Sequence, residues 1–138
     1  MHSTHIHDSY ELYYLASGEI SYFIEDNVYK VKKGDMIFIS PKSLHKTQIT
    51  KNPEHKRILI YFTKEFINEF LAYNKRLLDF FTTRQLSIPK QKQEINEQIL
   101  YSMSNEYENK TDIIMIKSLL GELLVTSNIS CVNSFVTK

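Results

Sequence analysis

Two imidazoles and a carboxylate stand at His5, His7 and Glu11, in the spacing His-x-His-x3-Glu. In an extended strand alternate side chains share a face, so all three point the same way if residues 5–11 form one strand. A third imidazole, His45, follows the Lys33-Gly34 turn, an apolar run over 35–40 and Pro41. Three imidazoles and one carboxylate suit Fe(II), Mn(II), Ni(II) or Zn(II) and leave positions open for a ligand. The plainer alternative has the histidines as polar residues at a pocket mouth and Glu11 paired with a lysine on a neighbouring strand. His2 and His55 have no such company and read as surface residues.

The elements that must hold these residues follow from the hydropathy pattern. Over the first 62 residues, short runs rich in Tyr, Phe, Ile and Val are cut by turn signals at Ser17-Gly18, Asp26-Asn27, Lys33-Gly34, Pro41 and Asn52-Pro53. Strands are expected at 10–16, 19–25, 28–32, 35–40, 44–50 and 56–62, with left-handed backbone at Gly18 and Gly34. Tyr10–Ala16 is apolar on both faces, as a central strand would be, whereas Ile20, Tyr22 and Ile24 give their strand one buried face. By parity Tyr13 and Leu15 share the face of His5, His7 and Glu11.

From Thr63 the period becomes helical. Phe66, Ile67, Phe70, Leu71, Leu77, Leu78 and Phe81 predict one helix capped by Thr63. A second helix follows the break at Leu86–Pro89, with a stripe of Ile95, Ile99, Met103 and Tyr107. A third, capped by Thr111, carries Ile113, Ile116, Leu119, Leu120, Leu123 and Leu124. Gly121 in its interior predicts a close approach by another backbone. The third helix is apolar over more of its circumference than one face needs, so a homodimer is expected on Ile116, Leu120, Leu123 and Leu124. Strands followed by helices make an α+β fold: sheet over 1–62, a helical extension of the same domain over 63–126, and a frayed tail or linker over 127–138.

Composition narrows the classes of function. The chain has 138 residues, one-domain size, and its 17 basic and 16 acidic side chains lack the excess charge of a nucleic-acid binder. Cys131 is the one cysteine and cannot form an internal disulfide, which suits a reducing, cytoplasmic setting. The longest apolar run, Ile113–Ile116, is too short to cross a membrane, and no signal peptide opens the chain.

The segment from His5 through Glu11 to Gly18 matches the first cupin motif, HxH(x)3–4E(x)6G. Gly34, Pro41 and His45 follow in the order of the second, although Ser43 stands where a glycine is common and Ile49 replaces the usual asparagine. Residues 5–125 resemble the N-terminal effector-binding domain of AraC-type transcription regulators. The resemblance implies a small cupin-like β-barrel of jelly-roll type, followed by about three helices that pair two subunits. It also implies a small-molecule effector such as a sugar, bound by His5, His7, Glu11, Tyr13, Tyr22 and His45. The helix-turn-helix units with which such regulators read DNA have no counterpart in this chain. The leading expectation is therefore a non-enzymatic sensor that requires no cofactor. The alternative is a small metal-dependent cupin enzyme, a dioxygenase or isomerase, holding Zn, Ni, Mn or Fe on His5, His7, Glu11 and His45. A weaker third reading is a dimerisation unit with an empty barrel.

Overall fold

The structure is a computed structural model and describes residues 9–43, 45–49, 54–83, 85–110 and 112–136. The strands are β1 (Tyr10–Ser17), β2 (Glu19–Ile24), β3 (Asn27–Lys32), β4 (Met36–Ile39), β5 (His45–Ile49), β6 (Lys56–Phe62) and the two-residue β7 (Gln85–Leu86). All pairings are antiparallel, in one sheet of order β6-β1-β4-β7 and another of order β3-β2-β5. The six expected strands stand within a residue or so of their expected bounds, and β7 is an addition.

The closed barrel needs correction: among the described residues no strand pairing joins the two sheets. With four and two residues, β4 and β7 are too short to carry the tilt and stagger that closure takes. The sheets instead share one interior, where Tyr13, Leu15, Ile37 and Ile39 of the first pack with Ile20, Tyr22, Ile24 and Val31 of the second. The other face of β1 is equally buried. Tyr10 stacks on Phe62 at 5.4 Å, and Phe81 meets Tyr10, Phe38 and Phe62 edge-on at 5.0–6.0 Å.

Two turns depend on glycine. Gly18 has φ +90°, and a Cβ there would sit 2.7 Å from the Glu54 carbonyl oxygen. Gly34 has φ +91°, and its N–H donates to Leu15 O at 2.8 Å. The β2–β3 hairpin turns on Glu25-Asp26, one residue earlier than expected, with Glu25 itself at φ 53°.

The chain divides into two compact units, 1–63 with 81–88, and 64–80 with 89–138. In the second unit the expected helix over 63–81 is interrupted. A 3-10 turn at Glu65–Ile67 leads into α1 (Asn68–Tyr73), and extended backbone at Asn74, φ −140°, ends it. Asn74 Oδ1 accepts the Arg76 N–H at 3.1 Å, a local bond that competes with the helical ladder. Lys64 stands at the N-cap of the turn before α1 and makes no side-chain cap bond.

The second helix, α2 (Lys90–Glu108), packs along the third, α3 (Ile113–Val136). It buries Asn96, Ile99, Leu100 and Met103, while Ile95 and Tyr107, the ends of the expected stripe, are 54% and 75% exposed. Four-residue steps drift about 40° each on a helix of 3.6 residues per turn, so the two ends rotate away from the buried line. Thr111 lies outside the described residues, and Asp112 Oδ1 accepts the Ile114 N–H at 2.9 Å to cap α3. Gly121 faces the Phe70 ring, 2.9 Å from where a Cβ would stand, so the close approach comes from a side chain and not a backbone. α3 runs through the stretch expected to fray, and Ser127 at 2% exposure shows that packing continues past residue 126. Leu120, Leu123 and Leu124 are buried within the single chain and Ile116 is half-buried, while Ile113, Ile114, Met115, Val125 and Ile129 are exposed. Among the described residues no helix is long and apolar enough to cross a membrane.

Candidate functional site

The interior between the two sheets is apolar except along one line. On β1, Glu11 points inward beside Tyr13 and Leu15, since strand alternation turns Leu12 and Tyr14 the other way. Across the interior, β2 presents Tyr22 and Ile24, and the pairing of Ile24 with His45 sets the imidazole on the same face of its sheet. Tyr22 Oη donates to Glu11 Oε2 at 3.0 Å, and His45 Nε2 lies 3.3 Å from Glu11 Oε1. The Tyr13 ring meets Tyr22 edge-on at 5.1 Å, and Tyr22 stacks with the His45 ring at 6.0 Å. Glu11, Tyr13, Tyr22 and His45 are each exposed by 3% or less. Four of the six expected binding residues therefore converge. His5 and His7 lie outside the described residues.

The electrostatics are those of polar groups kept dry. Burial pushes the Tyr22 phenol far up, and the charge and hydrogen bond of Glu11 push the same way. Burial likewise raises the Tyr13 phenol to about 12, against the pull of Arg57. At His45 burial favours the neutral ring, yet hydrogen bonds to Glu11 and to the Ser43 carbonyl outweigh it and leave the imidazole raised above its ordinary 6.5. A carbonyl only accepts, so the 3.0 Å contact with Ser43 O puts a proton on His45 Nδ1 and aims Nε2 at Glu11. Glu11 Oε1 is met by His45 Nε2 at 3.3 Å and the Tyr13 hydroxyl by Arg57, and neither buried atom has a closer hydrogen bond. In a dry interior such atoms are costly unless something else satisfies them.

A divalent metal can be tested against these atoms. Among the described residues no three His, Cys, Asp or Glu side chains cluster, so Glu11 and His45 are the described pair of the expected four ligands. Glu11 Oε1 and His45 Nε2 face each other at 3.3 Å, and His45 is held at Nδ1 by a carbonyl, as metal-bound imidazoles commonly are. The pair fits two ligands of one first-row ion.

The sequence places β6 but not its contribution to the site. Tyr61 stands opposite Glu11, Leu59 opposite Tyr13 and Arg57 opposite Leu15, so all three face the site. Tyr61's phenol is raised by burial and by the Glu11 carboxylate beside it. The alternation of Arg57, Leu59 and Tyr61 is visible in the sequence, but the register that brings it to Glu11 is not.

No curated relative matches the chain in sequence. Among solved structures, the AraC-like transcriptional activator CuxR is 12% identical, with a TM-score of 0.53 over 86% of this chain and 43% of that one. A predicted oxalate decarboxylase from Thermotoga maritima is 22% identical, with a TM-score of 0.42 over 44% of this chain and 54% of its own. The plu4264 protein from Photorhabdus luminescens is 33% identical, with a TM-score of 0.42 over 54% and 63%. This chain thus spans about half the length of the structures it matches. CuxR shares its fold. The profile of the AraC-like ligand binding domain matches residues 1–124, and the chain belongs to that family.

Proposed function

We propose that this domain senses a small polar metabolite, a sugar in the first instance, as the effector-binding part of a cytoplasmic transcription regulator. The observation that carries the reading is the buried convergence of Glu11, Tyr13, Tyr22 and His45, with Glu11 Oε1 and Tyr13 Oη only weakly satisfied. A polyhydroxylated ligand offers donors to the carboxylate and C–H faces to the tyrosine rings. Its hydroxyls would add hydrogen bonds to atoms that the folded chain satisfies only weakly, and a ligand that binds only the folded state raises stability. Contact with DNA would be made by a separate helix-turn-helix part. A thermal-shift screen of the chain against a sugar library tests the reading. Stabilisation by at least one member, lost in Tyr22→Phe, is the expected result. A flat response across the library leaves the domain as a dimerisation unit.

Dimerisation belongs to the same reading. With Leu120, Leu123 and Leu124 buried in one chain, the exposed apolar side chains of α3 include Ile114 and Val125, which we assign to contact with a second copy. These are eleven residues apart and share a face at 3.6 residues per turn. Ile114→Glu with Val125→Glu is expected to halve the sedimenting mass. An unchanged mass overturns this interface.

The 3.3 Å separation of Glu11 Oε1 and His45 Nε2 favours a second reading, a metal-dependent cupin enzyme. Bound there with His5 and His7, a divalent ion would act as a Lewis acid on substrate. Stoichiometric metal in the purified chain, lost in His45→Ala, would support it.

A further inference from the structure

An imidazole and a guanidinium face the interior of the sheet unit from different strands, and among the described residues only the imidazole has an acidic partner. His45 has Glu11. Arg57 comes from β6, whose direction is fixed by Leu59, half-buried against the shared core. Arg57 is two residues away and stands opposite Leu15, so it lies on that same inner face at the exposed end of the strand. Among the described residues the ion pairs are His45–Glu11, Arg76–Asp79 and Lys117–Glu69, and none involves Arg57. Its diagonal neighbour across the pairing is Tyr13, whose buried Oη has no closer partner than the guanidinium. Long side chains reach diagonal neighbours, and the pull of Arg57 on the Tyr13 phenol shows that the two interact. Four residues further along β6 on the same face is the half-exposed Tyr61, opposite Glu11, and Arg57 pulls on its phenol too.

The inner face thus carries a sequence of chemistries: a guanidinium with no acidic partner among the described residues, phenols beside it, and at the far end a buried carboxylate oxygen that can only accept. A guanidinium presents a planar fork matched to a carboxylate. Glu11 Oε1 repels a carboxylate and welcomes a hydroxyl. We propose that the effector is a polyhydroxylated carboxylic acid, a sugar acid, with its carboxylate on Arg57 and its hydroxyls running past Tyr13 and Tyr61 toward Glu11. This assignment rests on the effector-sensing reading above and narrows it from sugars at large to their acids.

The competing account is that Arg57 is a solvated charge on an edge strand, where basic residues discourage edge-to-edge pairing. The two accounts part on charge-matched probes. D-Galacturonate, D-glucuronate and D-gluconate are titrated into the chain beside D-galactose and D-glucose, by calorimetry at low and high salt. At least one acid is expected to bind about tenfold or more tighter than its neutral parent, as a charge-assisted hydrogen bond to arginine allows. That preference should shrink with salt and vanish in Arg57→Gln. Lys56→Gln, one residue along on the other face of β6, should keep it. An unchanged thermal midpoint of unliganded Arg57→Gln separates a lost contact from a lost fold.

Neutral sugars that bind as well as their acids, with affinity still lost in Tyr22→Phe, overturn the sugar-acid assignment and leave the sensor standing. An acid preference that survives in Arg57→Gln overturns it as well. Silence from all five probes also overturns it, and silence across the wider sugar library overturns the sensor reading itself.

Discussion

Each unit holds an ion pair between distant parts of the chain. In the sheet unit His45 and Glu11 pair with 2% and 3% of their side chains exposed, inside a hydrogen-bonded group that includes Tyr22. In the helical unit Lys117 of α3 pairs with Glu69 of α1 with 29% and 53% exposed, and Lys117 also lies over the Phe66 ring at 4.9 Å. The surface pair needs no explanation beyond helix docking, and water screens it. The buried pair costs desolvation that its own attraction seldom returns, so a purely structural role accounts poorly for it. The unit that keeps charge in a dry interior is where a ligand is to be sought.

Removing one partner from each pair tests this difference most severely. Glu11→Leu leaves His45 and Tyr22 buried beside an apolar group and is expected to cost about 3 kcal/mol or more in urea denaturation. Lys117→Met should leave the midpoint nearly unmoved. Equal effects from the two would dissolve the comparison.

The glycines sharpen it next. Gly18→Ala forces a Cβ onto left-handed backbone and against the Glu54 carbonyl oxygen, and we expect a loss of about 2–4 kcal/mol. Gly121→Ala meets the Phe70 ring but gains helix propensity of about 1 kcal/mol, so its net cost should stay near 1 kcal/mol. Thermal or urea melts of the two variants rank them, and a larger loss for Gly121→Ala would mean that α3 cannot yield at Phe70.

The same contrast explains which features the sequence makes legible. Strands announce themselves through alternation and turn residues, so β1 to β6 and the left-handed glycines at 18 and 34 are readable from residue order alone. The inward sets Glu11, Tyr13 and Tyr22 follow from parity. Pairing register does not, which is why Arg57 and Tyr61 escape notice until β6 is placed beside β1. Helices are harder because apolar spacing says nothing of an interruption: the run from Phe66 to Phe81 keeps its period across Asn74, where the backbone leaves the helix. At α2 a straight four-residue stripe is mistaken for a face, and at α3 a polar composition is mistaken for a helix end. The Glu11–His45 contact is foreshadowed by the residue types, since a histidine and a carboxylate in two inward strands are expected to meet, whereas Ser43's hold on the imidazole is not.

Within the buried group, Tyr22→Phe removes one donor to Glu11 and nothing else. Loss of a hydrogen bond to a charged acceptor is expected to cost about 1.5–3 kcal/mol, less than loss of the carboxylate itself. Combining it with Glu11→Leu should cost less than the sum of the two, because the bond can be lost only once. Strict additivity in urea melts would mean that Tyr22 and Glu11 act separately.

The smallest effects are those of pH, and the two pairs should give opposite signs. His45 binds its proton more tightly in the folded chain than its ordinary 6.5, so its contribution is complete below pH 6.5 and is lost as pH rises through the raised folded value. Glu69 is lowered from its ordinary 4.5, chiefly by its hydrogen bond with Lys117, so its contribution is present above pH 4.5 and is lost as pH falls through the lower folded value. Urea midpoints followed from about pH 4 to 8.5 in wild type and His45→Gln isolate the buried pair. The alkaline decline should disappear in His45→Gln and resist added salt, because water does not reach that pair to screen it. An acid-side decline should remain in that variant and be weakened in Lys117→Met. If the alkaline decline persists without His45, some other group loses its proton on that limb, and the buried imidazole does not hold the charge that sets the two units apart.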